Sequence, residues 1–321
     1  MKRITVIGAG NVGATCVNEI ARRHLAEEVV VVDLNEGASK GKALDMWQTA
    51  PIQGFSTRIV GAGNDYSLTA DSGVVVITAG LPRKPGMSRD DLIGTNAKIM
   101  QSVVEQVMRH SSNPIIVVVT NPLDVMTYAA YLASGLPHQR VFGMAGVLDT
   151  ARYKAFIATE LGVSPRDVSA MLMGGHGDTM VPLPRYTAVS GVPVRELMAE
   201  DTLQAIIART KVGGGEIVNL MGTSAWYAPG AAAAEMVEAI VRNERRVLPV
   251  CAMLQGEYGM RNLHLGVPAV LGENGVERVL ELHLDEGEQQ LLRASAQAVK
   301  SVMCTLDGMD LFPQKMGALP L

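Results

Sequence analysis

Several features are scarce in this 321-residue chain, and each scarcity excludes something. Cysteine occurs three times, at Cys16, Cys251 and Cys304. The number is odd, the positions are far apart, and no CxxC or Cys/His spacing accompanies them. A disulfide framework and a structural zinc site are thereby excluded, and a reducing cytoplasm is the expected compartment. Aromatic residues are few: two Trp, seven Tyr and four Phe are together outnumbered by 18 Met. The core must therefore rest on aliphatic and thioether packing. The longest apolar stretches, Gly73 to Leu81 and Ile115 to Val119, fall far short of the ~20 residues of a membrane span. Met1-Lys2-Arg3 followed by Ile4 to Ile7 has the charge order of a signal peptide, but Gly8-Ala9-Gly10-Asn11 breaks the apolar run too early. Neither sign of charge dominates. Against 32 acidic residues stand 28 basic ones, net −4, so no extended positive field attracts nucleic acid or anionic lipid.

What is present is an alternating pattern. Ile4 to Ile7, Val29 to Asp33, Arg58 to Val60, Val74 to Thr78 and Ile115 to Val119 read as strands. Their continuous apolar character suits a parallel sheet buried on both faces. Helical periodicity lies between them, clearest over Asp90 to His110, where Ile93, Ala97, Met100, Val104 and Val107 form one stripe. This predicts an N-terminal Rossmann domain, a doubly wound parallel sheet, over residues 1–145. From Leu148 the pattern changes to helices over Leu148 to Leu161, Thr202 to Met221, Ala231 to Asn243 and Asp285 to Leu306. Strands are expected at Val168 to Met173, around Arg185 to Val189, near Arg246 to Leu254 and at Val267 to Leu271. A C-terminal α+β substrate domain over 146–306, packed on the first, is the expectation. Residues 307–321 form a tail with no assigned role.

Gly8-Ala9-Gly10-Asn11-Val12-Gly13 matches GxGxxG, a pattern that a plain strand-to-helix turn also satisfies. Here it ends the first strand and opens a helix, and Asp33 closes the second strand. Gly8 permits the turn, Gly10 lets backbone approach a pyrophosphate, and Gly13 lets helix and strand pack closely. The helix N-terminus supplies unpaired N–H groups and the positive end of its dipole. Asp33 can accept hydrogen bonds from an adenosine ribose and repels a 2′-phosphate, which favours NAD over NADP. Lys40 and Lys42 are near enough in sequence to keep NADP open.

Among six histidines, His176 stands apart in Gly174-Gly175-His176-Gly177-Asp178, just past an apolar stretch. The flanking glycines expose an imidazole, although a turn histidine bonding locally has the same signature. A metal held by His176 and Asp178 lacks further ligands at suitable spacing, so no metal is expected. Asp149, in Val147-Leu148-Asp149-Thr150-Ala151-Arg152, opens a helix; it can be a first-turn acid paired with Arg152. Arg83 and Arg89 lie in a Pro/Gly-rich loop, Pro82 to Arg89, that can be simply solvated or can close over a crevice. Asn121-Pro122 follows a strand ending at Thr120 and can be no more than a turn ahead of a helix.

Taken in order, these stretches resemble the lactate/malate dehydrogenase family, and most closely its lactate-dehydrogenase-like malate dehydrogenases. The resemblance adds Gly41-Lys42-Ala43-Leu44-Asp45 and Gly213-Gly214-Gly215-Glu216-Ile217, and runs from residue 4 to about 305. It implies NAD-dependent, reversible hydride transfer between a 2-hydroxy acid and its keto acid. His176 would be the acid/base, Asp149 its orienting carboxylate, and Arg152 the clamp on the C1 carboxylate. Arg89 would polarise the keto oxygen, and Asn121 would bind substrate. Asn96, Val119, Thr120 and Asn121 match cofactor-contacting positions, beside Gly8, Ala9, Gly10, Asn11, Val12, Gly13 and Asp33. Ser224 is expected on the substrate side. Arg83 occupies the position at which the family carries glutamine for pyruvate and arginine for oxaloacetate, so malate/oxaloacetate is the expected small dicarboxylate pair. The family implies a homodimer or homotetramer. Rival readings are a lactate or other 2-hydroxy-acid dehydrogenase on the same fold, an NAD-dependent glycosidase, and a non-catalytic NAD(H)-binding module. The glycosidase needs metal ligands that are lacking. The binding module predicts decay of a catalytic set that is present.

Overall fold

The computed structural model describes residues 1–82 and 88–320. The first half alternates strand and helix in chain order. It runs β1 (Arg3–Ile7), α1 (Asn11–Arg22), β2 (Glu28–Val32), α2 (Glu36–Gln48), the short α3 (Ala50–Gln53), β3 (Arg58–Gly63), β4 (Val74–Ile77) and α4 (Arg89–His110). After these come β5 (Ile115–Val118), α5 (Leu123–Ser134) and β6 (Val141–Gly143). All six strands pair in parallel, in the order β3-β2-β1-β4-β5-β6. β4 and β5 are buried at every position, which is why their sequences carry apolar residues without alternation. Five strands are expected from the sequence; β6, only three residues long, is the sixth.

The second half begins with α6 (Gly146–Leu161), then β7 (Val168–Ser169), β8 (Leu172–Met173), β9 (Val181–Pro182), β10 (Ala188–Val189), β11 (Val192–Pro193) and the short α7 (Val194–Leu197). Next are α8 (Glu200–Met221), α9 (Tyr227–Val241), β12 (Arg246–Gln255), β13 (Arg261–Gly272), β14 (Gly275–Val279) and α10 (Glu286–Asp307). The expected strand at 185–189 is only Ala188–Val189, because Pro184–Tyr186 forms a turn of 3-10 helix led by its proline. The expected strand at 267–271 is much longer, beginning at Arg261.

β12, β13 and β14 are antiparallel and extend the parallel sheet to nine strands, β12 joining β6 through the pair Cys251 and Gly143. The two halves therefore share one sheet, and α1 also packs against α9, where Gly230 leaves room for Thr15. The tail is anchored. Tyr128 Oη donates to Asp307 Oδ1 (2.8 Å) and accepts from the Met316 N–H (2.7 Å). Lys300 Nζ donates to the Met316 carbonyl (2.9 Å), and Phe312 is buried.

The glycine turn between β1 and α1 shows why three glycines are spaced as they are. Gly8 has φ +105°, open to glycine and costly for other residues. A Cβ on Gly13 would lie 1.9 Å from the Gly8 carbonyl oxygen, whereas a Cβ on Gly10 would meet nothing within 4 Å. Gly13→Ala should therefore cost about 1–3 kcal/mol, the usual penalty of overpacking. Gly10→Ala should cost at most about 1 kcal/mol, the difference between the two residues at a helix N-cap. Calorimetric melting of both variants checks this, and equal losses would contradict the packing account.

Candidate active site

A groove of about 600 Å³ opens beside the glycine turn, lined by Gly8, Gly10, Asp33, Tyr66, Thr78 and Gln106 among others. Gly10, on its wall, is the N-cap of α1 and gives the helix's first N–H groups no side-chain partner. Donors at a helix N-terminus with open space above Gly10 suit the phosphates of a dinucleotide. Asp33 Oδ2 accepts from the Ala9 N–H (2.7 Å) and Oδ1 from the Asn35 N–H (2.8 Å). These bonds fix the carboxylate beside the turn, and each oxygen keeps a further lone pair for a ribose hydroxyl. Of the two lysines that left NADP open, both are already engaged, Lys42 at the glycine turn itself and Lys40 on its own helix. Lys42 Nζ donates to the Ala9 carbonyl (2.7 Å), and Lys40 pairs with Glu36.

Ala9, Asn11 and Val12 complete the turn and the first residues of α1. Val119 and Thr120 follow β5, and Thr120 Oγ1 donates to the Ala79 carbonyl (2.7 Å). Asn96 is 1% exposed and fully engaged. Its Oδ1 accepts from the Leu81 N–H (2.9 Å), and its Nδ2 donates to the carbonyls of Leu81 (3.1 Å) and Asn121 (2.8 Å). Its side chain braces the turns after β4 and β5 instead of offering a free polar group.

The second cluster forms where element ends meet. Asp149 sits in the first turn of α6 and Arg152 one turn later. His176 projects from the loop between β8 and β9. Asp149 divides its carboxylate: Oδ1 accepts from Arg152 Nη1 (3.1 Å) and Oδ2 faces His176 Nδ1 (2.8 Å). A buried carboxylate only accepts, so Nδ1 carries its hydrogen and Nε2 is the nitrogen that exchanges a proton. Burial alone would depress the His176 pKa. The charge and hydrogen bond of Asp149, with the charge of Asp124, outweigh burial and the opposing Arg152, leaving it above the ordinary value. Arg152 Nε is buried with no hydrogen-bond partner among the described residues. An incompletely paired guanidinium of this kind suits an incoming carboxylate. Gly213 and Gly214 of α8 flank it, a Cβ on Gly213 reaching 3.4 Å from Arg152 Cδ.

The histidine loop is tied down at several points. Gly174 exchanges two backbone hydrogen bonds with Gly266 on β13. Gly175 N–H donates to Ser295 Oγ of α10 (2.8 Å), and His176 N–H donates to Asp124 Oδ2 of α5 (2.9 Å). Neither Asp124 nor Ser295 is singled out by sequence reasoning. Burial pushes the Asp124 carboxyl up to about 6, a rise restrained by the charge and N–H of His176.

A cavity of about 420 Å³ brings His176 together with Arg89, Asn121, Asp124 and Asp178. Arg89 is the first residue of α4, whose start is fixed by a capping box in which Ser88 and Asp91 each accept the other's N–H. Arg152 joins the cluster through Asp149. Ser224 is exposed and does not line this cavity. Arg83 lies outside the described residues. Among the described residues no group of three or more His, Cys, Asp or Glu is arranged to hold a metal ion. Nor is any helix long and apolar enough to cross a membrane.

Comparison with known proteins gives two family matches. Residues 2–143 match the lactate/malate dehydrogenase NAD binding domain, and residues 146–306 match the lactate/malate dehydrogenase alpha/beta C-terminal domain. The chain is 61% identical over 307 residues to malate dehydrogenase of Cytophaga hutchinsonii, covering 96% of this chain and 98% of the relative. Its fold is similar to malate dehydrogenase from Salinibacter ruber, with a TM-score of 0.93, 56% identity, and 96% and 98% of the two chains covered. Malate dehydrogenase from Plasmodium falciparum, solved in complex with NADH, gives a TM-score of 0.89 at 37% identity, with 97% and 99% covered. The chain thus belongs to the lactate/malate dehydrogenase family.

Proposed function

We propose that this chain is an NAD-dependent malate dehydrogenase, interconverting (S)-malate and oxaloacetate. The observation that carries the reading is the Arg152–Asp149–His176 relay, a carboxylate clamp and an acid/base side by side. Residues 1–145 hold the dinucleotide, and 146–306 bring the proton-transfer group to it. A dinucleotide held there would supply the hydride acceptor for oxidation at malate C2 and the hydride donor for the reverse reaction.

The chain's own residues do the rest. Arg152 clamps the C1 carboxylate with its guanidinium. His176 Nε2 takes the hydroxyl proton of malate, and Asp149 stabilises the imidazolium that results. In reduction the protonated ring donates to the forming alkoxide, a role served by a pKa above the ordinary value. Arg89 polarises the keto oxygen as charge develops there. Asn121 binds substrate and, with Val119 and Thr120, lines the nicotinamide side. Asn96 supports them through the turns it ties. Glycine-turn N–H groups hold the pyrophosphate, and Asp33 reads the ribose. The carboxylate of Asp33 beside the turn, with Lys40 already paired to Glu36, supports NAD over NADP.

Arg83 reads the second carboxylate of the substrate. This rests on its match to the family's specificity position. Facing the methyl of pyruvate, a desolvated arginine would be an unpaired charge, which argues against a lactate dehydrogenase. The chain works in the cytoplasm as a homodimer or homotetramer. Leu44 and Trp47 of α2 and Tyr227 at the start of α9 are exposed large apolar residues of the kind that such an association covers.

Two variants test the reading. His176→Asn should keep NADH affinity, measured by fluorescence titration, and lose about 10²–10⁴-fold in turnover; near-normal turnover removes His176 from the mechanism. Wild type should prefer oxaloacetate to pyruvate in NADH oxidation. Arg83→Gln should shrink that preference by at least about 100-fold, the order expected from losing a buried charge pair. A wild-type preference for pyruvate ends the malate assignment. An unchanged preference in Arg83→Gln means that the substrate is read elsewhere.

A further inference from the structure

His176 is gripped twice. Asp149 holds the ring, and Asp124 holds the main chain, its Oδ2 accepting the His176 N–H at 2.9 Å. Among the described residues only one of the Asp124 oxygens accepts from an N–H or O–H group. Oδ1 is buried with no N–H or O–H donor among the described residues, the weakly donating Cys251 thiol being the other group on the carboxylate, and the residue is 8% exposed. A serine hydroxyl could accept the single N–H without burying a charge short of donors in the interior, where that is costly. A brace alone does not account for a carboxylate here, so its charge requires a use.

The surroundings show where that charge acts. Facing Asp124 from the loop after β8 are the His176 imidazole and the Gly175 backbone. From α6 comes Asp149, which is paired with Arg152. From β12 comes the Cys251 thiol, which burial and Asp124 together push well above its ordinary value, keeping it uncharged. Thr127 lies one turn along α5 and bonds the Leu123 carbonyl. Arg89 and Asp178 line the same cavity. Of the facing groups, the imidazole is the one that gains a positive charge in the proposed reaction.

We infer that Asp124 is a positioning residue for His176, fixing the loop that carries the imidazole and adding a second negative charge that keeps the ring protonated for donation. The inference rests on the dehydrogenase reading above. With His176 protonated, Asp124 and Asp149 balance His176 and Arg152, and the remaining arginines meet the dianionic substrate. With Asp124 neutral, the imidazolium and Arg152 face each other across one carboxylate, and the ring gives up its proton at lower pH.

The test is the pH profile of kcat/KM for oxaloacetate at saturating NADH in wild type, Asp124→Asn and Ser295→Ala. Reduction needs protonated His176, so activity is present below its pKa and falls as pH rises through it. Ser295→Ala removes the neighbouring tie, Gly175 N–H to Ser295 Oγ, but no charge. It should lower the rate and leave the inflection in place. Asp124→Asn should move the inflection down by about one pH unit, the order of one nearby charge, with NADH affinity retained. An inflection that stays where wild type has it, or one that Ser295→Ala moves as far, overturns the inference. Should Asp124→Asn fail to fold, Asp124→Ser is read by the same criterion. A wild type that does not reduce oxaloacetate at all contradicts the dehydrogenase reading instead.

Discussion

The contact on which the site depends is the 2.8 Å approach of His176 Nδ1 to Asp149 Oδ2. It joins the first turn of α6 to a loop that lies 27 residues further along the chain. That contact sets the imidazole tautomer, gives the ring its orientation, and lifts its pKa against the burial that would lower it. Much of the local architecture serves the two ends of this bond. β6 feeds directly into α6, so Asp149 stands near the carboxyl edge of the last parallel strand, where ligands collect in doubly wound sheets. β13, α5 and α10 all tie down the histidine loop.

The net charge of −4 describes the surface and misleads about the site. It bears on polymers and membranes, whose attraction depends on an extended field. A small dianion responds to local placement, and Arg152 is held within 3.1 Å of one carboxylate while its Nε has no partner among the described residues. The sheet that spans both halves keeps such placement rigid. Its continuity through Cys251 and Gly143 brings the acid–base cluster and the dinucleotide groove onto one scaffold.

Legibility in the sequence followed physical locality. β1, β2, β4 and β5 are continuous apolar runs because both faces of a parallel sheet are buried, so they read directly. The helix at Arg89–His110 has one apolar stripe and reads as well. α5 does not: every residue from Leu123 to Ala130 is buried, so no stripe distinguishes it. β13 was cut short because Asn262, His264 and Gly266 interrupt its apolar pattern, yet His264 is wholly buried between the rings of Tyr128 and Tyr131. The joining of β12 to β6, which attaches the antiparallel hairpins to the parallel sheet, is a long-range pairing that no local pattern announces. At the site, His176, Asp149 and Arg152 were visible in their motifs, and the structure brings them together. Asp124 and Ser295 were not, because a first-turn acid and a mid-helix serine each have an ordinary local explanation. A signal was nonetheless present in Asp124, an acid set within an otherwise apolar helix.

The most direct test of the account is the titration of the His176 ring, followed by nitrogen-15 NMR in wild type and in Asp149→Asn. The account predicts a wild-type pKa above the ordinary histidine value of 6.5, falling when the Asp149 charge is removed. A wild-type value at or below 6.5, or one that Asp149→Asn leaves in place, would contradict it.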